Sequence, residues 1–117
     1  MAITVSEKEG VVIFRLNGRI ITPDTKKISE TMEAALAACA SPPRLLFDFK
    51  KVTGMDSSGL GVFMKLYADI HPRGGKIGVI NVNKRVKNLI VMARLITVFK
   101  NFENENDAVA ALLQEAS

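Results

Sequence analysis

The sequence predicts a mixed α/β fold of order ββαβαβαβα, one sheet covered by about four helices. Three observations predict it. Short runs with strand periodicity alternate with longer runs of helical periodicity after an opening hairpin. Proline and glycine sit at the junctions between those runs. The 117 residues, 48% of them hydrophobic and 24% charged, suit one domain spanning 1–117 with a single core. Six phenylalanines, one tyrosine and no tryptophan make that core mainly aliphatic.

Ile3 to Glu7 reads as the first strand, and Glu9-Gly10 as a turn. In "VVIFRLNG", Val12, Phe14 and Leu16 point one way and Ile13, Arg15 and Asn17 the other, with Gly18 ending the strand. A helix follows from Pro23 or Asp24 to Ala38. Thr22 is expected to cap it, and Pro23 suits a first helical position. Ile28, Met32, Ala35, Leu36 and Cys39 form its inner face. Ser41-Pro42-Pro43 stops it. "RLLFDF" is a short buried strand with Leu45, Phe47 and Phe49 on one side.

Ser57 to about Ile70 is the second helix, with Leu60, Phe63, Met64, Tyr67 and Ile70 inward. Pro72 and Gly74 or Gly75 end it. "KIGVINV" is another buried strand. "NKRVKNLIVMAR" is the third helix, with Val86, Leu89, Ile90 and Ala93 inward, and "ITVFKNF" is the last strand. Asp107 to Gln114 closes the fold as a helix, with Val109, Leu112 and Leu113 inward. Helical connections between strands favour parallel neighbours, and the opening hairpin makes the sheet mixed. The loops after the carboxyl ends of the parallel strands then gather at one end, where sites usually lie.

Several function classes are excluded on chemistry. Asn88 to Phe99 is too short to span a bilayer and is broken by Arg94, so no membrane is expected. "MAITVSEKEG" lacks the basic start and apolar run of a signal peptide, and a cytoplasmic location is the expectation. Cys39, the lone cysteine, cannot form an internal disulfide and reads as a small core residue. One histidine, one cysteine and scattered acids give no spacing of metal ligands, so neither metal nor cofactor is expected.

The net charge of +4 and isoelectric point near 9.4 permit an acidic partner without demanding nucleic acid. Lys84, Arg85 and Lys87 at the start of the third helix oppose the helix dipole. They read either as a solvated polar turn or as a landing point for an acidic partner.

The segment "GMDSSGLG" places Asp56, Ser57, Ser58 and Gly59 at the mouth of the second helix. It departs from the G-x-S-x-G elbow of serine hydrolases. The only histidine, His71, lies about 14 residues along the same helix, hence about 21 Å from Ser57, too far to share its proton. On the residues alone, Asp56 or a serine caps the helix and Gly59 allows tight packing. The alternative is a phosphate acceptor, because a serine in the first turn lies beside free backbone N–H groups and the positive end of the dipole.

"FDFKKVTGMDSSGLGVFMKLY", preceded by "IFRLNGRI" and followed by "GGKIGVINVNKRVKNLIVMARL", resembles a STAS domain, in particular the stand-alone anti-sigma factor antagonists of bacteria. The resemblance runs nearly the whole chain and implies a STAS-like sheet and a non-enzymatic regulator of transcription, a monomer or weak dimer. It implies that Ser57 is phosphorylated by a serine-kinase anti-sigma factor, that the unphosphorylated protein binds this kinase and frees the sigma factor, and that a PP2C-type phosphatase resets the switch. The implied docking surface is Thr22, Asp24, Asp56, Ser57, Ser58, Gly59 and Leu60, with Lys84 and Arg85.

The chain departs from the family pattern where Ile21 replaces an acid, with Asp24 three residues on, and where Arg94 replaces a glycine before Leu95. The competing readings are a STAS interaction subunit of a lipid-transport or stress-signalling assembly, a small enzyme with Ser57 as nucleophile, or a weak nucleic-acid binder.

Overall fold

The structure is a computed structural model, and it describes residues 2–39, 42–92 and 99–114. The predicted order holds. β1 (Ala2–Lys8) and β2 (Val11–Ile20) form the hairpin, followed by a 3-10 turn (Thr22–Asp24) and α1 (Thr25–Ala38). Then come β3 (Arg44–Met55), α2 (Ser57–Ile70), a second 3-10 turn (His71–Arg73), β4 (Lys76–Ile80), α3 (Lys84–Met92), β5 (Phe99–Phe102) and α4 (Glu105–Gln114).

The five strands lie in sequence order, β1 antiparallel to β2 and every later pair parallel. The parallel strands therefore deliver the loops before α1, α2, α3 and α4 to one end of the sheet.

The alternation in β2 sorts its side chains as predicted. Val12, Phe14 and Leu16 join a large core with Ile28, Met32 and Leu36 of α1, Leu60, Val62, Phe63, Leu66 and Ile70 of α2, and Val86 and Ile90 of α3. Phe47 sits at its centre, stacked 5.0 Å from Phe14 and edge-on to Phe63 at 5.0 Å. On the other face Val11, Ile13, Leu46 and Ile80 pack against Ala108, Val109 and Leu112 of α4. Among the described residues, three helices thus cover one face and α4 the other.

Four expectations are corrected. Gly18 does not end β2. It takes φ +106° at a register shift against β3, which its missing side chain permits, and the strand continues to Ile20. β3 runs on to Met55, well past Phe49. Met64 points outward at 47% exposure, while Val62 and Leu66 turn inward. Nearly every position of α2 between Leu60 and Tyr67 is apolar, so periodicity fixes the helix but not its rotation. Finally, Thr22 does not cap α1: it lies inside the 3-10 turn, Asp24 stands at the cap position, and neither side chain makes a capping bond.

Leu89 is half-buried, and Cys39 is half-buried at the end of α1 with its thiol directed to the Leu36 carbonyl at 3.3 Å. The expected roles of Ala93, Arg94 and Leu95, and the first residues of the last strand, lie outside the described residues.

Candidate functional site

The site forms where β3 ends and α2 begins. Asp56 is extended, with φ −102° and ψ −178°, which aims its side chain back over the first turn of the helix. Its Oδ1 accepts from the Gly59 N–H at 2.9 Å, closing one of the open donors of a helix start. Its Oδ2 accepts from the Thr22 N–H at 3.3 Å and faces the Thr22 hydroxyl at 3.4 Å. The Asp56 N–H donates to the Ile20 carbonyl at 3.2 Å. One carboxylate thus ties the end of β2 to the start of α2. The Gly59 N–H above all holds its pKa below the ordinary 3.8, against the opposing effect of desolvation. The N–H and hydroxyl of Thr22 and the Ser58 N–H lower it further.

Gly59 is required by space. A β-carbon there would lie 2.4 Å from the Ile20 carbonyl oxygen and 2.7 Å from Ile20 Cγ2. The glycine lets α2 press onto the end of β2, which is why the Thr22 turn comes within reach of Asp56. Leu60, placed by sequence on the docking surface, is buried in the core, as is Gly59. Both shape the site from beneath and offer no side chain to a partner.

The two serines differ. Both are exposed. The Ser58 oxygen accepts from the Thr22 hydroxyl at 2.9 Å. The Ser57 hydroxyl makes no hydrogen bond with any described residue. Ser57 is also the first residue of the helix, directly at the positive end of the dipole.

Lys84 and Arg85 are exposed at the start of α3, at the same end of the sheet. Their helix is capped by Asn83, whose Oδ1 accepts from the Val86 N–H at 2.9 Å and whose amide donates to the Val52 carbonyl at 2.9 Å. Asn83 and Ile20 were not singled out from sequence. Asn83 was legible as an Asn three residues before an inward valine; the part played by the Ile20 carbonyl leaves no sequence signal.

His71 lies beyond the far end of α2, with Nδ1 2.9 Å from the Tyr67 hydroxyl. The chain's one histidine is thus at the opposite end of α2 from Ser57. No group of three potential metal ligands occurs among the described residues, and none of their helices is long and apolar enough to cross a membrane.

Comparison with known proteins fits this architecture. The STAS domain family model matches residues 2–108. An anti-sigma F factor antagonist of Paenibacillus polymyxa is 30% identical over 112 residues, covering 96% of this chain and 95% of that protein. The crystal structure of an anti-sigma factor antagonist from Mycobacterium paratuberculosis superposes with a TM-score of 0.83 at 23% identity, covering 96% and 93% of the two chains. The antagonist SpoIIAA in its unphosphorylated form gives 0.83 at 18% identity, covering 97% of each chain. The phosphorylated form of the Bacillus cell fate determinant SpoIIAA gives 0.75 at 17%, covering 95% and 99%. With a family model spanning almost all of its length and a relative matched nearly end to end, the chain belongs to the STAS domain family.

Proposed function

We propose that this protein is an anti-sigma factor antagonist, a binding module and not an enzyme, switched by phosphorylation of Ser57. Unphosphorylated, it binds a serine-kinase anti-sigma factor and so frees the sigma factor. A PP2C-type phosphatase restores the hydroxyl. The observation that carries the reading is the contrast between the serines: the Ser57 hydroxyl, at the first residue of α2, is exposed and bonded to no described residue, whereas Ser58 is held by Thr22. The names of the relatives, anti-sigma factor antagonists, support the same reading.

The physics of the switch follows from the site. Phosphorylation adds nearly two negative charges beside Asp56. The helix dipole favours them by about 0.3–1 kcal/mol. Repulsion from Asp56 opposes this, but both Asp56 oxygens already face the Gly59 and Thr22 donors, and water screens the exposed phosphate. The terms nearly cancel, so the fold tolerates the phosphate. A partner surface complementary to a neutral hydroxyl does not. Burying an unpaired charge there costs about 2–4 kcal/mol, a loss of tens to hundreds of times in affinity. Lys84 and Arg85, at the same end of the sheet, extend the docking surface toward acidic groups of the partner.

The test is chemical. The protein is incubated with ATP and the kinase it retrieves from native lysate, and the product is mapped by intact mass and peptide sequencing. One phosphate on Ser57, abolished by Ser57→Ala and retained in Ser58→Ala, is the expected result. Phosphate on Ser58 alone, or retrieval of transporter subunits with no kinase, contradicts the proposal.

A further inference from the structure

The sheet face that carries α4 is only half covered. α4 packs over Val11, Ile13 and Leu46, and no described helix packs over the strands beyond them. There lies an open cleft of about 380 Å³, lined by Ala2, Thr4, Arg15, Asn17, Lys50 and Lys51. Its floor is set by register. Ala2 lies opposite Asn17 and Thr4 opposite Arg15, and on the other side Arg15 meets Asp48 and Asn17 meets Lys51. The small side chains of Ala2 and Thr4 leave the depression.

A bulge gives the cleft its charge. Between those last two pairs β2 advances from 15 to 17 while β3 advances from 48 to 51, so β3 carries one extra residue. Phe49 and Val52 both enter the opposite core, and the consecutive Lys50 and Lys51 both line the cleft. In a regular strand they would point to opposite faces. Asp48 pins the bulge: its Oδ1 accepts from the Lys50 N–H and from the Asn81 amide, each at 2.9 Å.

Arg15 is engaged by Glu105 and by Ser6. Lys50 and Lys51 form no ion pair with any described residue. Two adjacent ammonium groups re-aimed into one concavity repel each other, and Asp48 is the one carboxylate among the described residues that line it. Asp48 lines the cleft too, and its second oxygen has no donor among the described residues.

The geometry points to a binding site for a small phosphate monoester bearing hydroxyl groups. Lys50 and Lys51 take the phosphate, with the Thr4 hydroxyl and Asn17 amide as neutral donors, and the spare Asp48 oxygen accepts from a ligand hydroxyl. A doubly charged group with several oxygens matches two point-charge donors, and the volume suits a small molecule rather than a protein segment. The site lies on the sheet face opposite α2 and is independent of Ser57.

Ribose 5-phosphate, inorganic phosphate and ribose are titrated separately into the nitrogen-15-labelled protein and followed by amide chemical shifts. Saturable shifts at Asn17, Lys50 and Lys51 are expected, with ribose 5-phosphate binding about tenfold more tightly than inorganic phosphate. Lys50→Ala/Lys51→Ala, on exposed positions, weakens it at least about tenfold, and Asp48→Asn removes the preference over inorganic phosphate. Lys27→Ala/Arg73→Ala removes the same charge elsewhere and leaves binding unchanged. The assignment falls if no saturable shifts appear at these amides, or if the Lys27 and Arg73 control loses as much affinity. It falls equally if hexaglutamate occupies the same amides more tightly than ribose 5-phosphate.

Discussion

The starts of α2 and α3 stand at the same end of the sheet and present the same positive dipole end, yet they are built for opposite charges. α2 is capped by a carboxylate and opens with two serines. α3 is capped by a neutral amide and opens with Lys84 and Arg85, which its own dipole disfavours. At α2 the local field welcomes an added anion. At α3 cations are held against the local field, so helix stability does not account for them. The caps also reach differently. Asp56 ties α2 to Thr22 of the preceding turn, and Asn83 ties α3 to the Val52 carbonyl of β3.

The comparison breaks most severely at Gly59. Gly59→Ala drives a methyl into the Ile20 carbonyl and is expected to cost about 2–3 kcal/mol in urea denaturation. Gly61→Ala, two residues on, where an added β-carbon meets nothing within 4 Å, is expected to stabilise by about 0.5–1 kcal/mol. Equal effects at the two glycines would mean that the contact with Ile20 does not hold α2 in place.

Asn83→Ala removes both a cap and the bridge to Val52, for an expected loss of about 1–2 kcal/mol on the same measurement. An effect within error would show that α3 is anchored by Val86 and Ile90 alone.

The smallest effect is in pH. The Asp56 carboxyl is held below its unfolded value of 3.8, so its contribution is present above that pH and lost as pH falls through the lower, folded value. Thermal melts of the native protein and Asp56→Asn should differ most near neutrality and converge in acid. A constant difference across that range would remove the carboxylate from the account.

Much of this could be read in the sequence, for identifiable reasons. α2 was bounded at Ser57 and Ile70 because Asp56 starts a helix and Pro72 breaks one, both local effects. The two faces of β2 followed from simple alternation. What failed depended on distant partners. The rotation of α2 is set by packing against the sheet and α1, where Val62 and Leu66 line one groove with Ser29 and Met32, and an almost uniformly apolar stretch carries no phase. Thr22 looked like a cap because its chemistry suits one. It instead serves Asp56 and Ser58, more than thirty residues on, because Gly59 lets the two segments meet. The bulge in β3 lies past Phe49, where the sequence reading ends the strand; the two lysines between Phe49 and Val52 break simple alternation, and only register with β2 shows that a residue is added.

The central claim is that the fold tolerates charge at Ser57 and the docking surface does not. Equilibrium binding of Ser57→Asp to the retrieved kinase, measured beside the native protein, tests it most directly. The account predicts a dissociation constant raised by tens to hundreds of times in a chain whose melting temperature is unchanged. Native-like affinity in the variant would contradict it.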